Sequence, residues 1–299
     1  MKKNMLFFPS PRIFMVLFGV SACLSLSLTM LFKLNPSKAQ NIPNNDTSAN
    51  VETQERLEGL KATMLTTWQQ QAQAKGIAYN VPSRFQGAVV EVVKLPQSQK
   101  VIALTFDDGP WPHSTDQVLS ILKENNIKAT FFMIGQNVKS NPALAKQVVA
   151  GGHVVGNHTW HHWYHYLNTQ AAAYEIDHTT AIIQQTTGVK TDLFRPPGGI
   201  MNNGVVAYAR NSKYTIIMWS SDSSDYSHPG VSALIHNIFK TAKPGGIVLM
   251  HDGGGNRSQT LQALPEVISR FRSQGYQFVT IPELLTLKAK DQKLIANKK

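Results

Sequence analysis

The chain has 299 residues, is 42% hydrophobic and 16% charged, and carries a formal net charge of +11. A disordered chain is thereby excluded, and one domain of about 200 residues with smaller attachments is the natural expectation. Cys23 is the only cysteine, which excludes an intrachain disulfide and leaves stability to the apolar core.

Lys2, Lys3 and Arg12 precede a mostly apolar run at 13–32, which Lys33 closes. A basic-flanked apolar run of about 20 residues meets a membrane. Residues 1–39 are therefore expected as a signal peptide cut after Ala39 or as a retained membrane anchor, and in both cases the remainder is exported to the cell envelope. Export, and the lack of an interleaved basic and aromatic patch, make nucleic acid a poor expected partner. Residues 40–99 read as a linker with a helix and a lead-in strand. Within it Leu57, Leu60, Met64 and Trp68 fall at helical spacing, an apolar stripe expected to dock on the following domain.

From residue 101 onward two hydrophobic periods alternate. Strand-like runs stand at 101–106, 129–134, 153–155, 192–194, 214–219, 247–250 and 277–280. Between them, Ser114 to Gln117 resembles a capping box opening a helix, and Asn141-Pro142 opens another that Gly151-Gly152 closes. Further helices are expected at 169–187, 203–211, 231–241 and 260–273, with a solvated basic tail at 288–299. About seven strands alternating with helices imply a parallel sheet covered by helices.

Polar clusters follow five of these strands: Asp107/Asp108, His158/His162, Arg195, Asp225 and His251. An open doubly wound sheet gathers its ligands at one switch point, whereas a barrel brings many strand ends to one rim. The expected fold is an α/β, deformed seven-stranded (β/α) barrel spanning 100–287, preceded by a membrane-associated segment and a helical linker.

Each cluster has its own chemistry. Asp107 and Asp108 repel unless a metal or an arginine compensates them, although an Asp-Gly-Pro sequence alone is a turn more often than a site. Imidazoles four apart, with one Asp oxygen, suit a borderline metal such as zinc. His161 beside His162 leaves open which of the two is the ligand. His113, His153, His161, His165, His178, His228 and His236 are expected on the surface or in packing rather than as ligands. Arg195 is held by the prolines that follow it and can orient a carboxylate. Asp225 and His251 can pair so that the carboxylate raises the imidazole pKa, which makes a general acid.

The segments 105–109, 158–162, 195–197, 219–225 and 249–251 resemble the five ordered motifs of the polysaccharide deacetylase family with the NodB homology domain, carbohydrate esterase family 4. The resemblance implies a deformed barrel and a divalent metal, usually zinc, held by Asp108, His158 and His162. It implies Asp107 as general base, Arg195 holding Asp107, and Asp225 tuning His251 as general acid. Trp219 would wall the site, Leu249 would line the acetyl pocket, and Pro197 and Gly198 would meet substrate, the Gly198 N–H facing the oxyanion. Two positions depart from the family pattern: Gly198 stands where many members carry an aromatic residue, so that one sugar-facing wall is expected to be lost, and Tyr226 replaces the more usual Trp. The expected substrate is an acetylated polysaccharide, foremost N-acetylglucosamine in peptidoglycan. Chitin oligosaccharides and O-acetylated xylan come after it, and a non-catalytic glycan-binding module is the contrasting reading.

Overall fold

The computed structural model describes residues 81–296, apart from Gln97, together with Arg56, which is helical; side chains are described as far as residue 289. The expected leader and nearly all of the expected 52–75 helix lie outside the described residues. Among the described residues no helix is long and apolar enough to cross a membrane.

The strands are β1 (Val89–Val90), β2 (Val101–Asp107), β3 (Thr130–Met133), β4 (Val154–Asn157), β5 (Leu193–Phe194), β6 (Thr215–Ile217), β7 (Ser221–Asp222), β8 (Gly246–His251) and β9 (Gln277–Phe278). They lie in the order β1-β6-β5-β4-β3-β2-β8-β7, with β9 against β2, and these pairings are all parallel. The result is an α/β fold with a parallel-strand sheet curled into a half-barrel. One extended segment switches sides: β6 pairs with β5, and after Trp219 and Ser220 the chain resumes as β7 against β8. β1 lies beside β6, and Val92 bridges to Gly246 at the start of β8, so the lead-in segment spans the gap between those strands.

The helices are α1 (Thr115–Glu124), α2 (Gly135–Ser140), α3 (Pro142–Ala150), α4 (Thr169–Thr187), α5 (Val205–Asn211), α6 (Val231–Thr241), α7 (Ser258–Ser273) and α8 (Ile281–Ala296). Local chemistry sets the bounds of α4. Asn168 Oδ1 accepts the Ala171 N–H at 2.9 Å, satisfying a first-turn donor, and Gly188 ends the helix in the left-handed conformation at φ 76°. The capping box expected at Ser114 does not form. Ser114 Oγ donates to the Asp252 carbonyl and Gln117 Nε2 to the His113 carbonyl, because the loop after β8 lies close enough to take the hydroxyl. Pro282 stands in the first turn of α8, where a missing N–H costs nothing, and the region expected as a tail is helical to Ala296.

Alternation along β2 joins the core to the site. Ile102, Leu104 and Phe106 point to the helix-covered layer with Val118, Leu122, Val248 and Leu264. Val101 and Ala103 point the other way, with Phe132, Ile217 and Ile247. A period of two then places Thr105 and Asp107 on that second face, at the C-terminal end of the strand. Each fully buried Leu or Phe contributes roughly 2 kcal/mol, so β2, buried along its whole length, is a rigid base for Asp107.

Candidate active site

Asp108 directly follows β2 with φ 73°, a left-handed turn that Asp tolerates better than most residues. His158 directly follows β4, and His162 lies on the succeeding loop at φ 63°. One ligand atom from each of Asp108, His158 and His162 lies within 4.8 Å of the other two. Asp108 Oδ1 is 3.4 Å from His158 Nε2 and 3.1 Å from His162 Nε2, and is a buried oxygen without a hydrogen-bond partner. Burial alone would raise the Asp108 carboxyl; the two imidazoles outweigh it and hold the group well below the usual carboxylate range. His158 Nδ1 lies 2.7 Å from the Arg195 carbonyl, a bond that fixes the ring and aims Nε2 at Asp108. A buried carboxylate oxygen facing two imidazole nitrogens is costly without a cation, and this donor set fits a divalent one.

Arg195 directly follows β5 and is fully buried. Its Nη1 donates to Asp107 Oδ1 at 2.7 Å and to Thr105 Oγ1 at 2.9 Å, and its Nε to the Ile217 carbonyl at 2.9 Å. The guanidinium also lies 4.2 Å over the Phe132 ring, a favourable contact for a desolvated cation. Burial lowers the Arg195 pKa, with Asp107 as the main opposing influence. Asp107 Oδ2, on the far side of that pair, is 3.7 Å from His158 Nε2.

Asp225, in the turn after β7, and His251, at the end of β8, face this assembly. Asp225 Oδ1 is 2.6 Å from His251 Nδ1, while Oδ2 accepts the His251 N–H at 2.9 Å and the Thr260 hydroxyl at 2.7 Å. Burial pushes the His251 imidazole down, but Asp225 more than offsets this and the pKa is raised to about 8. Asp225 is lowered despite its burial, chiefly through its bond to His251.

Asp107, Asp108, His158, His162 and His251 line one cavity of about 520 Å³. Trp219 and Leu249 line it too, as do Pro196 and Gly198. Pro197, expected to meet substrate, is buried and is not among the residues lining the cavity, where Pro196 stands. Arg195 and Asp225 stand behind Asp107 and His251.

Residues 94–217 match the family model for polysaccharide deacetylase. Over 198 residues the chain is 44% identical to the peptidoglycan-N-acetylglucosamine deacetylase of Bacillus cereus, covering 65% of this chain and 92% of that protein. The chain belongs to the polysaccharide deacetylase family. It is 38% identical over 211 residues to the peptidoglycan-N-acetylglucosamine deacetylase PgdA of Listeria monocytogenes, covering 70% of this chain and 44% of that longer protein. Among solved structures it resembles BA3943 of Bacillus anthracis, described as a CE4 family pseudoenzyme, with a TM-score of 0.61 and 32% identity over 67% of this chain and 69% of the other.

In this member of the deacetylase family the open choice between His161 and His162 resolves by direction. His161 turns away from Asp108: its Nδ1 lies 2.5 Å from Glu175 Oε1, and its ring stacks on Trp163. Glu175 was not singled out in the sequence. It is a buried carboxylate on α4 whose Oε2 also accepts the Trp160 and His161 N–H groups at 2.9 and 2.8 Å. Asn157, fully buried, ties the end of β4 to α4 by donating to the Ile176 carbonyl and Thr180 Oγ1, both at 2.8 Å. His153 is a packing histidine: its Nδ1 accepts the Ala129 N–H at 3.1 Å, and burial pulls its pKa down to about 3. Arg257, also unanticipated, lines the cavity and donates to the Gly253 carbonyl at 2.6 Å. At Gly198, where a sugar-facing wall is expected to be lost, the Tyr164 ring stands beside the backbone.

Proposed function

We propose that this protein removes acetyl groups from N-acetylglucosamine residues of an extracellular polysaccharide, peptidoglycan foremost. The observation that carries the reading is that a cation-ready cluster, a carboxylate held by a buried arginine, and a carboxylate-bound histidine line one cavity. The names of the relatives support the polymer, and the basic-flanked apolar run at 13–32 supports work outside the cytoplasm, in the cell envelope.

Asp108, His158 and His162 would hold a divalent cation, zinc being the best match to two imidazoles and one carboxylate. When bound, such an ion supplies Lewis-acid polarisation and makes water more acidic. Asp107, oriented by Arg195 through Oδ1, takes the proton of the attacking water as general base. The Gly198 N–H stabilises the developing oxyanion, and Leu249 packs on the acetyl methyl. His251 is anchored to Asp225 by Nδ1, which leaves Nε2 to protonate the departing amine. An amine leaves poorly as an anion, so this proton is required, and with a pKa raised to about 8 most His251 carries it at neutral pH. Trp219 walls the sugar.

The test is acetate release by the zinc-loaded full chain from peptidoglycan, N-acetylglucosamine oligomers and acetylated xylan. Release from peptidoglycan is expected, and release from xylan alone would overturn the N-acetyl reading. Asp107→Asn is expected to cut release about 10³-fold with metal content retained; an unchanged rate would reassign the base, and no release by the unaltered chain would favour a glycan-binding module.

A further inference from the structure

Pro196 and Gly198 line one side of the cavity, and Gly198 stands there at φ 58° without a side chain. The room a side chain would use is already taken. A Cβ placed on Gly198 would lie 3.0 Å from Cε1 and 3.4 Å from Cδ1 of Tyr164. Tyr164 lines the same cavity as the metal cluster and meets the His162 ring edge to face, with centroids 5.2 Å apart at 70°. It is nevertheless 57% exposed. The ring is therefore braced by the Gly198 backbone and the His162 imidazole while much of its surface stays open to solvent. An aromatic ring brings large contact area with few rotors, and braced at the mouth of a polar cavity it suits the apolar face of a pyranose.

Taking the deacetylase reading as its premise, we infer that Tyr164 is a specificity-determining residue which stacks on a sugar ring of the glycan chain beside the acetylated one. It supplies from the His162 loop the wall that Gly198 cannot supply. The contact depends on the ring rather than on the phenol oxygen, which separates Phe from Ala as replacements. It also reaches a part of the substrate that a small acetyl ester lacks.

The experiment compares the zinc-loaded full chain with its Tyr164→Ala and Tyr164→Phe variants on an N-acetylglucosamine pentamer and on p-nitrophenyl acetate. Tyr164→Ala is expected to raise KM for the pentamer, so that kcat/KM for pentamer relative to ester falls about tenfold. Tyr164→Phe is expected to keep that ratio within about twofold. A ratio unmoved by Ala would overturn the inference, as would a parallel loss on both substrates with reduced zinc content, which would make Tyr164 a brace for His162 and nothing more. Failure of the premise looks different: the unaltered chain would then release no acetate from the pentamer.

Discussion

On the side of β7 and β8, both oxygens of Asp225 are occupied, by His251 Nδ1 on one and by the His251 N–H and Thr260 hydroxyl on the other. On the side of β2 and β4, Asp108 Oδ1 is buried beside two imidazoles and has no hydrogen-bond partner. The first arrangement is complete in itself, as a preorganised proton donor should be. The second is balanced by a ligand from outside the chain, because a buried charge is stable only when paired or coordinated. Arg195 belongs to this second side, donating to Asp107 while its carbonyl fixes His158. In the proposed mechanism proton transfer would thus rest on the fold, and cation binding on coupled ligands that must act together.

The strongest way to break this contrast is to remove the cation side. Asp108→Ala, or chelation of the unaltered chain, is expected to abolish acetate release with loss of bound metal, measured by elemental analysis. Added zinc should restore the chelated chain but not the variant. Residual turnover without metal would place the chemistry elsewhere.

A smaller effect is expected on the proton-donor side, and it has a sign in pH. The proposed mechanism requires the acid form of His251, and its pKa is raised to about 8, so kcat/KM should fall as pH rises through about 8. Asp225→Asn removes the charge that raises the imidazole. The alkaline limb should then move to lower pH, and release at neutral pH should drop about 100-fold with metal content unchanged. A limb that stays in place would detach it from His251.

The smallest change sharpens the cation side from beneath. Glu175 clasps the loop between the two histidine ligands through three hydrogen bonds. Glu175→Gln should weaken zinc affinity about tenfold in a competition titration; unchanged affinity would make Glu175 a packing residue only.

Much of this was legible in the sequence because strand ends and helix caps are local. Thr169–Thr187 and Val231–Thr241 are the helices that periodicity predicts, and Asp107, His158, Arg195 and His251 stand at the ends of their strands or directly after them. What was not legible depends on the third dimension. Glu175 is one acid within a helix of mixed polarity, and nothing local says that it is buried against the metal loop. Tyr164 looks like any loop tyrosine until Gly198, distant in sequence, arrives beside it. Ser114 carries the right residue for a cap, but a carbonyl from the β8 loop competes for its hydroxyl and wins. The switch of the segment 215–222 between two partners leaves no mark in a hydrophobic pattern, since both faces stay largely buried.

The short lead-in strand has one more consequence. Val90 accepts from the Met218 N–H and Val93 donates to the Gly245 carbonyl, and both valines pack in the apolar cluster with Ile217 and Ile247. The stretch that matches the family model starts one residue later, at 94. A polypeptide trimmed to that boundary would carry an unsealed edge at β6, an open start to β8 and a greasy notch, the combination that invites chains to adhere to one another. The stretch that matches the family model and the sheet that forms are thus different objects, and on the N-terminal side the five residues from Val89 to Val93 are the difference between them.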